Sequence, residues 1–472
     1  MSDTYVYPVS ENQRQLWLQL ATADVGSAYV VSAMVRVHAA PAADALAQAL
    51  AWMIARHDAL RTAVQERGSE LVQVVYNELD PVDVAASLEW LADTAKPSDL
   101  ERAADRPLEV GVVPLIGVTG LRTALDEHLL AIRLHHIVCD GWSLGIVVDE
   151  LLGAYAAFAG GVSPQLDPVP MQFPDFTLWL QESESEQVRE ERLRFWREAL
   201  DGVPPELDVP RNRPRPPVPD NRSMGLRRGL ADELIGRIEN VAAACGATVQ
   251  QLLLAAFQVV LARYCSQDLF AIATVSARRD EPEFAGTVGF LANMIPVRAD
   301  LRGEPTFEQL LARVRAHTSS ATAYQDVSLP ELLTALGVPR AAGVPPLVQV
   351  GLQLLYEIEH DPPLGGAAMT WSRVAPPEEF AVESPLDIVV TAERGRGLQL
   401  RVEYVSALYD AQFVADLIDN FITLLDAATR APRTVVWRLD LLNPAERQRL
   451  LAWSGAATGL VEGSLGSGDL SA

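Results

Sequence analysis

The largely apolar stretch Leu129 to Leu134 runs directly into His135-His136-Ile137-Val138-Cys139-Asp140-Gly141-Trp142-Ser143, and this junction constrains the chain more than any other feature. A strand period of two places Leu130, Ile132, Leu134 and His136 on one face, with Ala131, Arg133 and His135 on the other. His136 is therefore expected to end a buried row, as an imidazole at the mouth of an apolar channel that can accept a proton near neutral pH. A lone histidine is more often structural. Here an acidic residue follows four positions on, and Gly141-Trp142 precede a helix expected to begin at its N-cap Ser143. The segment thus predicts a strand-turn-helix corner where side chains and backbone N–H groups converge.

Such a corner needs a large interior behind it. With 472 residues, 49% hydrophobic and 21% charged, the chain exceeds one ordinary core and predicts two lobes of roughly 200 residues each. Met1 to Tyr7 lacks the basic and apolar regions of a signal peptide, and no uninterrupted apolar run approaches the ~20 residues that span a bilayer. Three cysteines, Cys139, Cys245 and Cys265, are widely spaced and odd in number, which argues against a disulfide framework and against a metal site. These features predict a cytoplasmic protein without a membrane partner. The formal charge of −24 opposes binding to nucleic acid or anionic lipid. Lys96 is the only lysine, which excludes a phosphate-binding P-loop or a pyridoxal Schiff base. Nucleotide-dependent activation of a substrate is not expected.

Along the chain, Pro41 followed by Leu46, Leu50 and Met53 predicts an amphipathic helix. Leu71 to Val75 and Val110 to Ile116 read as strands, the second interrupted by Pro114. The proline-rich segment 203–222 marks a stiff crossing between lobes. Beyond it, Thr248 and Gln251 form a capping box before an apolar helix over Leu252 to Tyr264, and Leu269 to Val275 reads as a buried strand. The expected division is an N-terminal lobe over 1–180, a C-terminal lobe over 181–455 and a disordered Gly/Ser-rich tail over 456–472.

The decapeptide from Leu134 to Ser143 resembles the HHxxxDG signature of the condensation domains of nonribosomal peptide synthetases, within the chloramphenicol-acetyltransferase-like superfamily. Ser10 to Trp17 resembles that family's opening motif and Arg56 to Thr62 its second. Phe173 to Trp179 is similar to the fourth, Val288 to Asn293 with Pro296 to Arg298 to the fifth, and Tyr324 to Val327 with Leu329-Pro330 to the sixth. The seventh survives only as fragments around Pro339-Arg340 and Pro346-Leu347. The resemblance implies a mixed α/β fold of two chloramphenicol-acetyltransferase-like lobes in a V-shaped pseudo-dimer with a tunnel between them. It implies no bound cofactor, since substrates would arrive on the phosphopantetheine arms of donor and acceptor peptidyl carrier proteins. Leu441 to Trp453 resembles the linker into an adenylation domain, so neighbouring synthetase domains are expected partners.

By that resemblance His136 acts at the acceptor nitrogen, and Asp140 pairs with Arg61 to fix the corner structurally. The Gly141 N–H is a candidate to polarise the thioester carbonyl. His135, facing away from His136, is expected to be structural. Trp142 either packs beside the pantetheine arm or fills core, and Ser143 and Asn293 are candidate tunnel-lining groups. The opening motif looks more like domains taking D-configured, starter or polyketide-derived donors than like those taking L-configured peptidyl donors. Three further readings stay open: an epimerization domain, a silent carrier-docking or recruitment domain, and a free-standing acyltransferase making esters or amides with a soluble acceptor. Heterocyclization domains are disfavoured, because they carry aspartates in place of these histidines.

Overall fold

The computed structural model describes residues 3–22, 28–216, 222–339, 343–356, 368–373, 379–381, 386–395 and 397–453. The expected tail over 456–472 lies outside them. A five-stranded sheet runs in the order Ala368–Arg373, Val30–His38, Glu127–His135, Ile116–Ala124, Leu88–Trp90, antiparallel except for its last pair. The histidine strand is its centre. Leu130, Ile132 and Leu134 point into a core shared with the helices Ala43–Arg56 and Gly141–Ala159. Leu129 and Ala131 point the other way, under the short helix Pro97–Ala104. The alternation expected from a period of two holds along the strand. A three-stranded sheet, Thr4–Pro8, Glu70–Tyr76, Thr62–Arg67, lies beside it in sequence.

The second large sheet has seven strands, ordered Asn293–Asp300, Leu269–Ser276, Val350–Tyr356, Ile388–Arg394, Leu398–Val405, Arg222–Gly229, Glu379–Ala381. Helix Val249–Cys265 opens on the Thr248–Gln251 capping box. It is apolar on nearly every side because it is buried in one core with the sheet and the helices Asp232–Ala244, Phe307–Ala323 and Ala411–Arg430.

The expected boundary at 180/181 falls inside the helix Phe173–Ser183. The two halves also exchange segments: strand Ala368–Arg373 completes the five-stranded sheet, and Phe284, Val288 and Leu291 belong to the core of that sheet. Residues 110–115 form no strand, and the strand begins at Ile116. Pro114, without an N–H, cannot donate to a ladder there.

Candidate active site

The histidine strand ends one residue earlier than its apolar pattern suggests. His135 is the last strand residue and His136 opens a 3-10 turn, His136–Val138. The cause is local: His135 Nδ1 accepts the Ile137 N–H at 3.0 Å, a side-chain to backbone bond that diverts the chain from the ladder. His135 is consequently the buried imidazole, 3% exposed. His136, expected at the end of the buried row, is only half-buried and its ring stands 4.5 Å from that of Phe290, tilted by 55°. Its backbone N–H is anchored on the Tyr29 carbonyl at 2.8 Å. Gln13, fully buried, supports the turn from beneath by donating to the Ile137 carbonyl at 3.0 Å.

Asp140, not Ser143, caps the following helix, its Oδ1 accepting the Ser143 N–H at 2.8 Å. Gly141 is then the first helical residue, with its amide in the terminal turn that lies outside the helical hydrogen-bond ladder. The Asp140 carboxylate, 1% exposed, also accepts the backbone N–H groups of Leu291 at 3.1 Å and Ala292 at 3.0 Å. Its charge partner is Arg279, which donates to Oδ2 at 2.9 Å and Oδ1 at 3.1 Å. Burial alone would raise the carboxyl, but the Arg279 charge and hydrogen bonds, with those from Ser143, hold it below the usual carboxylate range.

The expected Arg61–Asp140 pair is absent. Arg61 binds Asp58 at 2.6 Å and the Tyr76 carbonyl at 2.9 Å, bracing its own 3-10 turn Asp58–Arg61. The neighbouring His57, buried, meets Glu150 of the helix Gly141–Ala159 at 2.7 Å. The second motif therefore grips the site through that helix.

Arg279 had no signal in the sequence, since it lies 139 positions from Asp140 in a segment without periodicity. It also donates to Ser143 Oγ at 2.8 Å and lies 5.8 Å from the Trp142 ring centroid. Trp142 is not core: half exposed, it donates from Nε1 to the Ala285 carbonyl at 3.2 Å. Ser143 does not line open space either. It is fully buried, and its hydroxyl exchanges hydrogen bonds with the Gly289 carbonyl and N–H at 2.9 and 3.0 Å. Gly289 can be only glycine, because a Cβ there would stand 2.2 Å from the Phe173 ring. Asn293, 2% exposed, is likewise not a lining group; its Nδ2 donates to the Gln325 and Val327 carbonyls at 2.7 and 2.9 Å, tying the fifth motif to the sixth. Asn12 adds a bond from the opening motif to the Ala292 carbonyl at 2.8 Å.

The buried His135 gives stability a defined acid dependence. Burial, and secondarily the neighbouring His136, push its imidazole down to about 3. In the unfolded chain it titrates near ~6.5, so its contribution is complete above that pH and is lost as pH falls toward the folded value, by at most ~1.4 kcal/mol per pH unit. His128 and His317 are also held below their ordinary range by burial. His135→Asn keeps an acceptor for the Ile137 N–H and removes one titration. It is expected to flatten, without abolishing, the fall of the melting temperature on acidification from neutral pH; an unaltered acid slope would refute this.

The condensation domain family matches residues 4–451. A linear gramicidin synthase protein of Brevibacillus parabrevis is 33% identical over 458 residues, which cover 95% of this chain and 9% of that protein. Chondramide synthase of Chondromyces crocatus is 32% identical over 464 residues, covering 96% of this chain and 12% of that protein. The chain thus spans only a small part of the length of these relatives. Among solved structures, the X-domain from teicoplanin biosynthesis is 25% identical with a TM-score of 0.78, covering 92% of this chain and 97% of that one. The condensation domain from the Monacolin K polyketide synthase MokA has the same fold, with a TM-score of 0.78 at 22% identity, over 92% of this chain and 99% of that one. The mixed α/β architecture, the motifs in order and the family match agree: the chain belongs to the condensation domain family.

Proposed function

We propose that the chain forms an amide bond between an acceptor amine and a donor acyl thioester, both presented on the phosphopantetheine arms of peptidyl carrier proteins in the cytoplasm. The observation that carries this reading is the placement of His136, half-buried against Phe290, on a turn held by Gln13, Tyr29 and the Asp140–Arg279 clasp. The acceptor nitrogen attacks the thioester carbonyl, the C–S bond of the tetrahedral intermediate breaks, and the nitrogen's proton leaves through the His136 imidazole to the departing thiolate. An α-amino group titrates near ~7.7–8.0, so deprotonating the free amine is not the obstacle. Holding the two reactants together can supply roughly 7 kcal/mol or more. The Gly141 N–H, in the first helical turn, is the proposed partner of the developing oxyanion.

The decisive experiment gives the purified chain a loaded donor carrier and a panel of loaded acceptor carriers, with product read by mass spectrometry. Amide product that requires both carriers supports the reading. A second reading, partner recruitment without catalysis, draws on the similarity to the teicoplanin X-domain, which has been solved in complex with OxyB. It predicts no product with any acceptor. Neither reading provides for substrate activation, and with Lys96 as the only lysine the chain is expected to give no pyrophosphate exchange from ATP and free amino acid.

A further inference from the structure

The apolar run from Leu71 to Val75 is broken only by Gln73. Its strand, Glu70–Tyr76, is the central one of the three-stranded sheet, and the Gln73 side chain is fully buried there. A buried amide costs stability unless each of its polar groups is met. Here each is. Gln73 Nε2 donates to the Pro8 carbonyl at 2.8 Å and to Thr177 Oγ1 at 3.1 Å, and its Oε1 accepts from Gln13 Nε2 at 3.2 Å. Thr177, of the helix Phe173–Ser183, passes its own hydroxyl proton to the Pro174 carbonyl at 2.7 Å.

Gln13 carries the chain of bonds onward. Its Oε1 accepts the Ser10 N–H at 3.0 Å, and its second amide hydrogen goes to the Ile137 carbonyl at 3.0 Å, inside the turn His136–Val138. Flipping the Gln13 amide would set N–H against the Ser10 N–H, and flipping that of Gln73 would set oxygen against the Pro8 carbonyl, so the chain has one orientation. It joins Thr177, Gln73 and Gln13, all buried and far apart in sequence, to the carbonyl one residue beyond the His136 imidazole.

We infer, on the amide-forming reading of His136, that Gln73 is a positioning residue for that imidazole and acts through Gln13. Without Gln73 the Gln13 amide loses an acceptor and its fixed orientation, and the Ile137 carbonyl loses a fixed donor. The Tyr29 carbonyl still holds the His136 N–H, so the turn persists while the ring shifts over Phe290. A misplacement of about 1 Å can cost ~10²-fold in rate. The test compares the full chain with Gln73→Met, an apolar side chain of equal length, and with the milder Thr177→Val, which removes one acceptor of Gln73. With loaded carriers, kcat is expected to fall ~10-fold or more in Gln73→Met and less in Thr177→Val, with KM for each carrier little changed. A second readout is independent of activity: the ring C–H resonances of His136, assigned by their loss in His136→Ala. They should shift in both variants, while those of His38 and His317, bonded elsewhere, stay in place. Unmoved His136 resonances in folded Gln73→Met, or in Thr177→Val should Gln73→Met not fold, overturn the inference, as does an equal shift at all three histidines, the mark of general loosening. Lack of product from the wild-type chain would strike the amide-forming reading instead, and the resonances would still decide whether Gln73 sets the imidazole.

Discussion

Arg279→Ala is expected to cost about 3–5 kcal/mol of stability, the usual result of removing one partner of a buried ion pair. Both side chains are 2% exposed. Without the guanidinium, Asp140 keeps the N–H groups of Ser143, Leu291 and Ala292 but no countercharge. Ser143 Oγ would lose its Arg279 donor as well, so the effect reaches the contact between the helix Gly141–Ala159 and segment 279–292. A double-mutant cycle measured by denaturant unfolding separates this pair from the alternative. Arg279→Ala combined with Asp140→Ala should cost clearly less than the sum of the single losses, because the second change removes the stranded charge. Arg61→Ala combined with Asp140→Ala should be additive, since Arg61 braces Asp58 and the Tyr76 carbonyl instead. Coupling between Arg61 and Asp140, with additivity at Arg279, would reverse the assignment.

What could be read from the sequence was local. The two faces of the histidine strand, the Leu46-Leu50-Met53 stripe and the Thr248–Gln251 capping box depend on neighbours a few residues away, and the structure bears them out. Ser143 and Asp140 are both good capping residues three positions apart. Asp140 takes the role because Gly141 and Trp142 already adopt the helix, and the Ser143 hydroxyl binds Gly289 instead. The exit of His136 from the strand depends on His135 preferring the Ile137 N–H, a choice the apolar alternation does not encode. The partner of Asp140 was beyond local reading altogether. Nothing in the sequence singles out Arg279, and only the path of segment 279–292 across to the five-stranded sheet brings it to Asp140. The same crossing carries Phe284, Val288 and Leu291 into the core of the other half, a contact that no local pattern in the sequence encodes.

His136→Ala is expected to lower amide formation by ~10²–10⁴-fold, the range for a lost acid-base group, while leaving the unfolding transition nearly unchanged. The separation of the two effects follows from the geometry. The backbone of His136 is held by its own N–H on the Tyr29 carbonyl, and the next residue by Gln13, so the turn survives truncation of the side chain. The ring itself packs on Phe290. Phe290→Ala should therefore act through His136: turnover falls by less than in His136→Ala, and the double variant is no slower than His136→Ala alone. The pH profile of turnover at saturating carriers should differ in shape, and not only in height, between the wild-type chain and His136→Ala, since the variant lacks the imidazole that passes the proton. Near wild-type turnover by His136→Ala with a verified loaded donor would remove the proton-transfer and positioning roles together. A flat, inactive profile in the wild-type chain itself would leave recruitment of a partner as the function of the domain.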